Sequence, residues 1–280
     1  MTSILDNPLI QSAVLPLVLS LGFTGLLRLV LGPVFGARLA GASVMLSFLI
    51  CQALIQMPVF PPRSSSQKLP YLVAVAVLLG LLIDSLDLKA RVQHIAMAVL
   101  AVAGIGWLLA GRFERIEIAG WILLPMLFAS ALLAQQRCMA RRDTLDGGIV
   151  LLLASAGIGA VALIGASASM AQVCFALMAA LGGFLLWNWP TWRFPLGATA
   201  QLGTITALLT LATQMLFFTK ANGWALLLLL PLLLVDRIGR SMESPRLRAV
   251  AVTVAAAVIC AIAVGTAWMM VEPSTSSYGY

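Results

Sequence analysis

The chain is written in long apolar blocks separated by short polar loops. Stretches long enough to cross about 30 Å of hydrocarbon recur at roughly 9–31, 38–57, 70–86, 92–110, 118–135, 147–165, 170–188, 196–218, 223–236 and 249–271. Nearly every Lys, Arg, Asp and Glu falls between them. This pattern predicts an all-α polytopic membrane bundle of about ten transmembrane helices. It forms one integral membrane domain over 1–280, with a short polar tail at 272–280 and no soluble domain left over.

Composition agrees with the pattern. Of the 280 residues, 61% are hydrophobic and 10% charged, against about 25% charged in a soluble domain, so water is excluded as the main solvent. The first block is too long and too weakly basic at its start for a cleaved signal peptide and reads as the first span. Cys51, Cys138, Cys174 and Cys260 are scattered singly, three of them inside apolar blocks, which points to neither a disulfide framework nor a zinc site. The lone histidine, His94, excludes a haem held between two histidines of this chain.

The net charge of +7 sits in membrane-flanking loops, where it sets orientation and meets anionic lipid; nucleic acid is not the expected partner. Loops after odd-numbered spans carry Arg38, Lys89, Arg91, Arg137, Arg141, Arg142, Arg193, Arg237, Arg240, Arg246 and Arg248. The opposite side has only Arg63, Lys68, Arg112, Arg115 and Lys220. The positive-inside rule therefore predicts both termini outside the cytoplasm, in a bacterial-type inner (plasma) membrane. Small-residue pairs, Ser155 with Gly159 and Ala179 with Gly183, suit close helix contact in lipid. The Pro-rich stretch 59–70 reads as an external connector.

Charge within a membrane is costly, so the ionisable groups at cytoplasmic span ends are the functional candidates: Asp84, Asp143, Asp146 and Asp236, with Arg28. Carboxylates converging there would suit Mg2+ held against a diphosphate. The competing reading is that each Asp simply ends its helix beside Arg neighbours, and that Arg28 snorkels to the surface.

Gly80 to Val92, Gly120 to Pro125 with Arg137 to Gly147, Leu181 to Pro190 with Phe194 to Ala198, and Leu229 to Asp236, in that order and on one predicted side, resemble segments of the polyprenyl-phosphate N-acetylhexosamine-1-phosphate transferases. These enzymes pass a sugar phosphate from a UDP-sugar to a lipid phosphate carrier and have about ten spans. Gly80 to Val92 is similar to the family's GLLDDLxGLSxRV, read without a gap, with Asp84 on the second Asp and Ile83 in place of the first. Gly120 to Pro125 followed by Arg137 to Gly147 resembles GWxxLP and NxxNxxDGxDG; Asp143, Asp146 and Gly147 match, while Arg137 and Ala140 replace the asparagines. Leu181 to Pro190, then Phe194 to Ala198, resembles LGFLxxNxPP and FMGD, with Asn188 on the Asn and Ala198 where the metal-binding Asp belongs. Leu229 to Asp236 resembles LLPxxD, without the family's His-rich loop after it.

The resemblance implies Asp84, Asp143 and Asp146 as catalytic and Mg2+-binding groups if activity is retained, and no cofactor otherwise. Arg137, Arg141, Arg142, Asn188 and Asp236 would contact substrate. Losing the carboxylate at 198 removes transition-state charge stabilisation from a reaction that depends on it. One reading is thus a catalytically impaired relative acting as a lipid-binding or partner-binding membrane protein, holding membrane lipid, polyprenyl phosphate included. An active transferase with a remodelled site is a second. A small-molecule or lipid transporter is a third, with Gln52, Thr204, Thr206 and Gln214 as its few mid-membrane polar groups. A homo-oligomer or a partner membrane protein is compatible with each.

Overall fold

The computed structural model describes residues 7–140, 144–165, 167–189, 192–219, 221, 223–241 and 244–270. The described residues form helices and loops, with no strand among them. The long helices are α1 (Leu15–Leu31), α2 (Ala42–Ile55), α3 (Ser65–Ser85), α4 (Ala90–Leu109) and α5 (Ile118–Ala140), then α6 (Asp146–Gly165), α7 (Ala168–Trp187) and α8 (Ala198–Phe218). A short α9 (Gly223–Leu227) and a 3₁₀ segment, Leu230–Ser241, precede α10 (Pro245–Met269). Among the described residues eight helical runs are long and apolar enough to cross a membrane, and two shorter apolar ones, Ala42–Ile55 and Gly223–Val235, complete the ten predicted positions. This is an all-α polytopic bundle.

Three local features depart from simple spans. The apolar run Ile10–Leu39 is not one crossing, because Gly32 adopts φ 80°, a conformation glycine reaches without steric cost. The chain folds back there until Gly36 lies against the backbone of Leu27 and Arg28. The Pro-rich connector is shorter than expected. Ser64 and Gln67 form a reciprocal capping box that starts α3 at Ser65, with Pro70 inside it. That box offsets the single bond Pro70 removes.

The ninth predicted span is the third departure. Pro231 lacks an N–H and crowds the preceding turn, and the chain continues as 3₁₀ helix. At about 2.0 Å rise per residue a 3₁₀ helix covers membrane depth with fewer residues than an α-helix needs.

The bundle is turned inside out relative to a soluble protein. Leu29, Ile118 and Met269 are more than four-fifths exposed, whereas Thr199, Gln201, Thr204, Thr210, Thr213 and Gln214 of α8 are buried. Helix α8 is the central rod, packed by α3, α4, α5 and α6. Small residues set the closest approaches: Gly183 of α7 meets the Leu17 carbonyl of α1, and Gly159 of α6 meets Cys174 of α7. Polar atoms on a central helix suit lipid as solvent, because there the interior is the only place they find partners.

Candidate functional site

Helix α8 begins at Ala198 after Gly197, which has no side chain to cap it. Four backbone N–H groups at a helix start lack intrahelical partners, and the missing cap comes from α3. The Asp84 carboxylate accepts from Ala198 N through Oδ1 (2.7 Å), and through Oδ2 from Thr199 N (2.8 Å) and the Thr199 hydroxyl (2.6 Å). Glycines permit this approach. A Cβ on Gly80, one turn before Asp84, would collide with the Thr199 backbone, and one on Gly197 would come within 2.7 Å of Asp84 Oδ2. The positive end of the α8 dipole thus faces a buried anion.

One turn into α8, Gln201 donates to the Leu196 carbonyl (2.6 Å), and its Oε1 accepts from Gln93 of α4 (2.8 Å) and Gln135 of α5 (3.1 Å). These three buried amides tie α4, α5 and α8 together at the same end of the bundle as Asp84. None of the three stood out in the sequence, since each is an isolated glutamine near a span end. Asn188 is fully buried, and its Oδ1 accepts from the backbone of Arg193 (2.9 Å) and Phe194 (2.8 Å). Its oxygen therefore folds the loop entering α8, while its Nδ2 is buried without a hydrogen-bond partner among the described residues. Arg28 is exposed, donates to the Pro33 carbonyl (3.3 Å) and lies 5.5 Å from the Phe194 ring centroid.

Asp146, 2% exposed at the start of α6, pairs with Arg248 of α10. Arg137, at the end of α5, lines a small pocket with Cys138, Asp146 and Gly147. Asp84, Arg137 and Asp146 therefore belong to one end of the bundle. Arg141, Arg142 and Asp143 lie outside the described residues, as does the side chain of Asp236, which falls on Leu230–Ser241.

Of the three expected Mg2+ ligands, the two described, Asp84 and Asp146, face other partners. A divalent cation needs hard oxygen lone pairs, but Asp84 presents its own to N–H and O–H donors at a helix N-terminus, and Asp146 faces a guanidinium. Among the described residues no group of three or more His, Cys, Asp or Glu could hold a metal ion.

Beside the Arg137 pocket an apolar furrow of about 120 Å³ lies within the bundle between α5, α6, α8 and the ninth predicted span. Its α5 wall is a stripe at helical spacing, Leu123, Leu127, Ser130 and Ala134, and its far wall includes Leu209 and Leu230. Ala134, Leu151 and Leu233 line both the furrow and the small Arg137 pocket, so the two adjoin. An apolar slot ending at a cation and a carboxylate has the polarity of an amphiphile. No family model matches this chain, and no curated protein matches it in sequence.

Proposed function

We propose that the chain is a divergent, catalytically impaired relative of the polyprenyl-phosphate sugar-1-phosphate transferases, and that it acts as a lipid-binding membrane protein. The tail of an anionic lipid lies in the α5–α8 furrow and its phosphate is drawn to the Arg137 end. Three details of the third-span segment support the register of the resemblance. Gly80, on the family's Gly, touches the α8 backbone. Asp87, on the family's second Gly, is the one described non-glycine residue with positive φ, at 51°. Lys89, on the family's Ser, is the N-cap of α4, a position that favours Ser.

The observation that carries the loss of chemistry is the Asp84 cap. With alanine at 198 the family's metal-binding carboxylate has no counterpart at that position, and both Asp84 oxygens accept from the α8 amides. The test is Mg2+-dependent UMP release from UDP-N-acetylhexosamine donors by the purified full chain supplied with undecaprenyl phosphate, with lipid retention followed by native mass spectrometry. We expect no turnover, and retention of undecaprenyl phosphate that is lost in Ala212→Trp, which fills the furrow. Turnover abolished by Asp84→Asn and Asp143→Asn would instead establish an active enzyme with a remodelled metal site. Neither turnover nor retention would end the proposal.

A further inference from the structure

At the other end of α5 the furrow opens again. Glu117 immediately precedes α5, about 30 Å along the helix from Arg137 at 1.5 Å per residue. There a cavity of about 310 Å³ is lined by Arg112, Glu117, Gly120 and Phe217, large enough for a small-molecule head at the roughly 300 Å³ lower bound of ligand sites. Leu123 and Leu216 line both this cavity and the apolar furrow, so the two adjoin across these side chains.

The two charges are set for a ligand that carries both signs. Arg112 donates one N–H to the Phe217 carbonyl (3.3 Å), and its guanidinium carbon lies 4.4 Å from the Phe218 ring centroid. Those contacts fix the group while leaving most of its five donors for an anion. The Glu117 carboxylate has no hydrogen bond or ion pair among the described residues, and although it lines the same cavity it does not pair with Arg112. Opposite charges that share a cavity without closing on each other leave room for a molecule to bridge them.

The depth of the cavity identifies that molecule. Phe113 and Trp121 stack loosely beside it with centroids 6.4 Å apart, and Trp121, Ile118 and Ile122 are exposed. Aromatic residues at a span's start favour the headgroup level, and the exposed Ile118 and Ile122 on the same turn offer apolar surface beside them. A ligand here has its head among lipid headgroups and an apolar path beneath it.

We propose that this mouth is a binding site for a zwitterionic phospholipid with a primary ammonium head, the phosphate on Arg112, the ammonium on Glu117 and one acyl chain entering the furrow past Leu123. The charges that hold this head, Arg112 and Glu117, are separate from those at the Arg137 end and owe nothing to the resemblance or to transfer chemistry.

The test is native mass spectrometry of the full chain in mixed micelles doped with phosphatidylethanolamine or phosphatidylglycerol of matched chains, with no polyprenyl phosphate present. The parent is expected to retain phosphatidylethanolamine in preference. Isosteric Glu117→Gln removes that preference, changing the ratio about tenfold, and Arg112→Ala weakens both lipids about tenfold, as loss of a charge-assisted hydrogen bond predicts. Leu123→Trp, which narrows the slot without touching either charge, lowers retention of both. An unchanged lipid ratio in Glu117→Gln, with the protein still monodisperse, overturns the assignment. Loss of undecaprenyl phosphate binding with this ratio intact would count against the Arg137 end alone.

Discussion

Asp84 and Asp146 are both buried carboxylates at the same end of the bundle, and they are stabilised by opposite means. Asp84 sits in the last turn of α3, where its own helix dipole opposes a negative charge, and is held by neutral amides and a hydroxyl at the start of α8. Asp146 sits in the first turn of α6, where the dipole favours it, and is held by the Arg248 guanidinium from α10. The first site depends on shape, since two acceptor oxygens must meet two adjacent amides. The second depends on charge, and its geometry is secondary. Neither arrangement leaves a carboxylate turned toward a shared cation.

The largest effect is expected where shape is least forgiving. In Gly80→Val the new Cβ and its methyls would enter the Thr199 backbone, which cannot rotate away as a side chain can. Such backbone overpacking falls in the exceptional class of about 4 kcal/mol or more. Loss of the monodisperse peak on size-exclusion chromatography, or a collapse of the thermal transition in detergent, is the expected result. A melting temperature equal to the parent's would mean α3 and α8 are not in contact at this point.

Paired isosteres sharpen the contrast. Asp84→Asn replaces one acceptor oxygen by an NH2 that faces a backbone N–H, so a hydrogen bond is lost and two donors are opposed. Unsatisfied buried donors typically cost about 1–3 kcal/mol, and we expect about 2 kcal/mol. Asp146→Asn retains an oxygen for Arg248, whose side chain is 17% exposed and can extend toward water; about 1 kcal/mol is expected there. Thermal unfolding in detergent would rank the two. The reverse order would show that Asp84 is not a cap.

The spans were legible because apolar blocks leave little freedom in lipid, and the turn-back at Gly32 falls between the first two of them, 9–31 and 38–57. What escaped the sequence was tertiary. Pro70 and Pro231 each invite a break in a helix, yet one is absorbed behind a capping box and the other converts its span to 3₁₀ helix. The role of Asp84 needed the pairing of α3 with α8, because a carboxylate at a helix end serves equally as ligand or cap until its neighbour is known. Arg248 counted only toward topology, and nothing local marked it as the partner of a residue about a hundred positions earlier. The Gln93, Gln135 and Gln201 cluster has no sequence signal, since its members are assembled only by folding.

The smallest expected effect tests the turn that carries Asp84 into place. Helix α3 ends in a Schellman motif: Leu88 N donates to the Ile83 carbonyl (3.1 Å), and Asp87 takes the left-handed position with φ 51°. Glycine at Asp87 would relieve roughly 1 kcal/mol of left-handed strain, less a few tenths for the greater freedom of the unfolded chain. Against it stands the ion pair with Arg38 (3.3 Å), whose side chains are 37% and 70% exposed; such pairs contribute about 0–1 kcal/mol, and at this exposure the low end applies. The balance favours Asp87→Gly by about 0.5 kcal/mol, a rise in melting temperature of a degree or so that high salt, by screening the parent's pair, would enlarge slightly. A fall instead, reproduced by Arg38→Gln and abolished at high salt, would mean that the pair outweighs the strain and that α3 is anchored to the second crossing by charge.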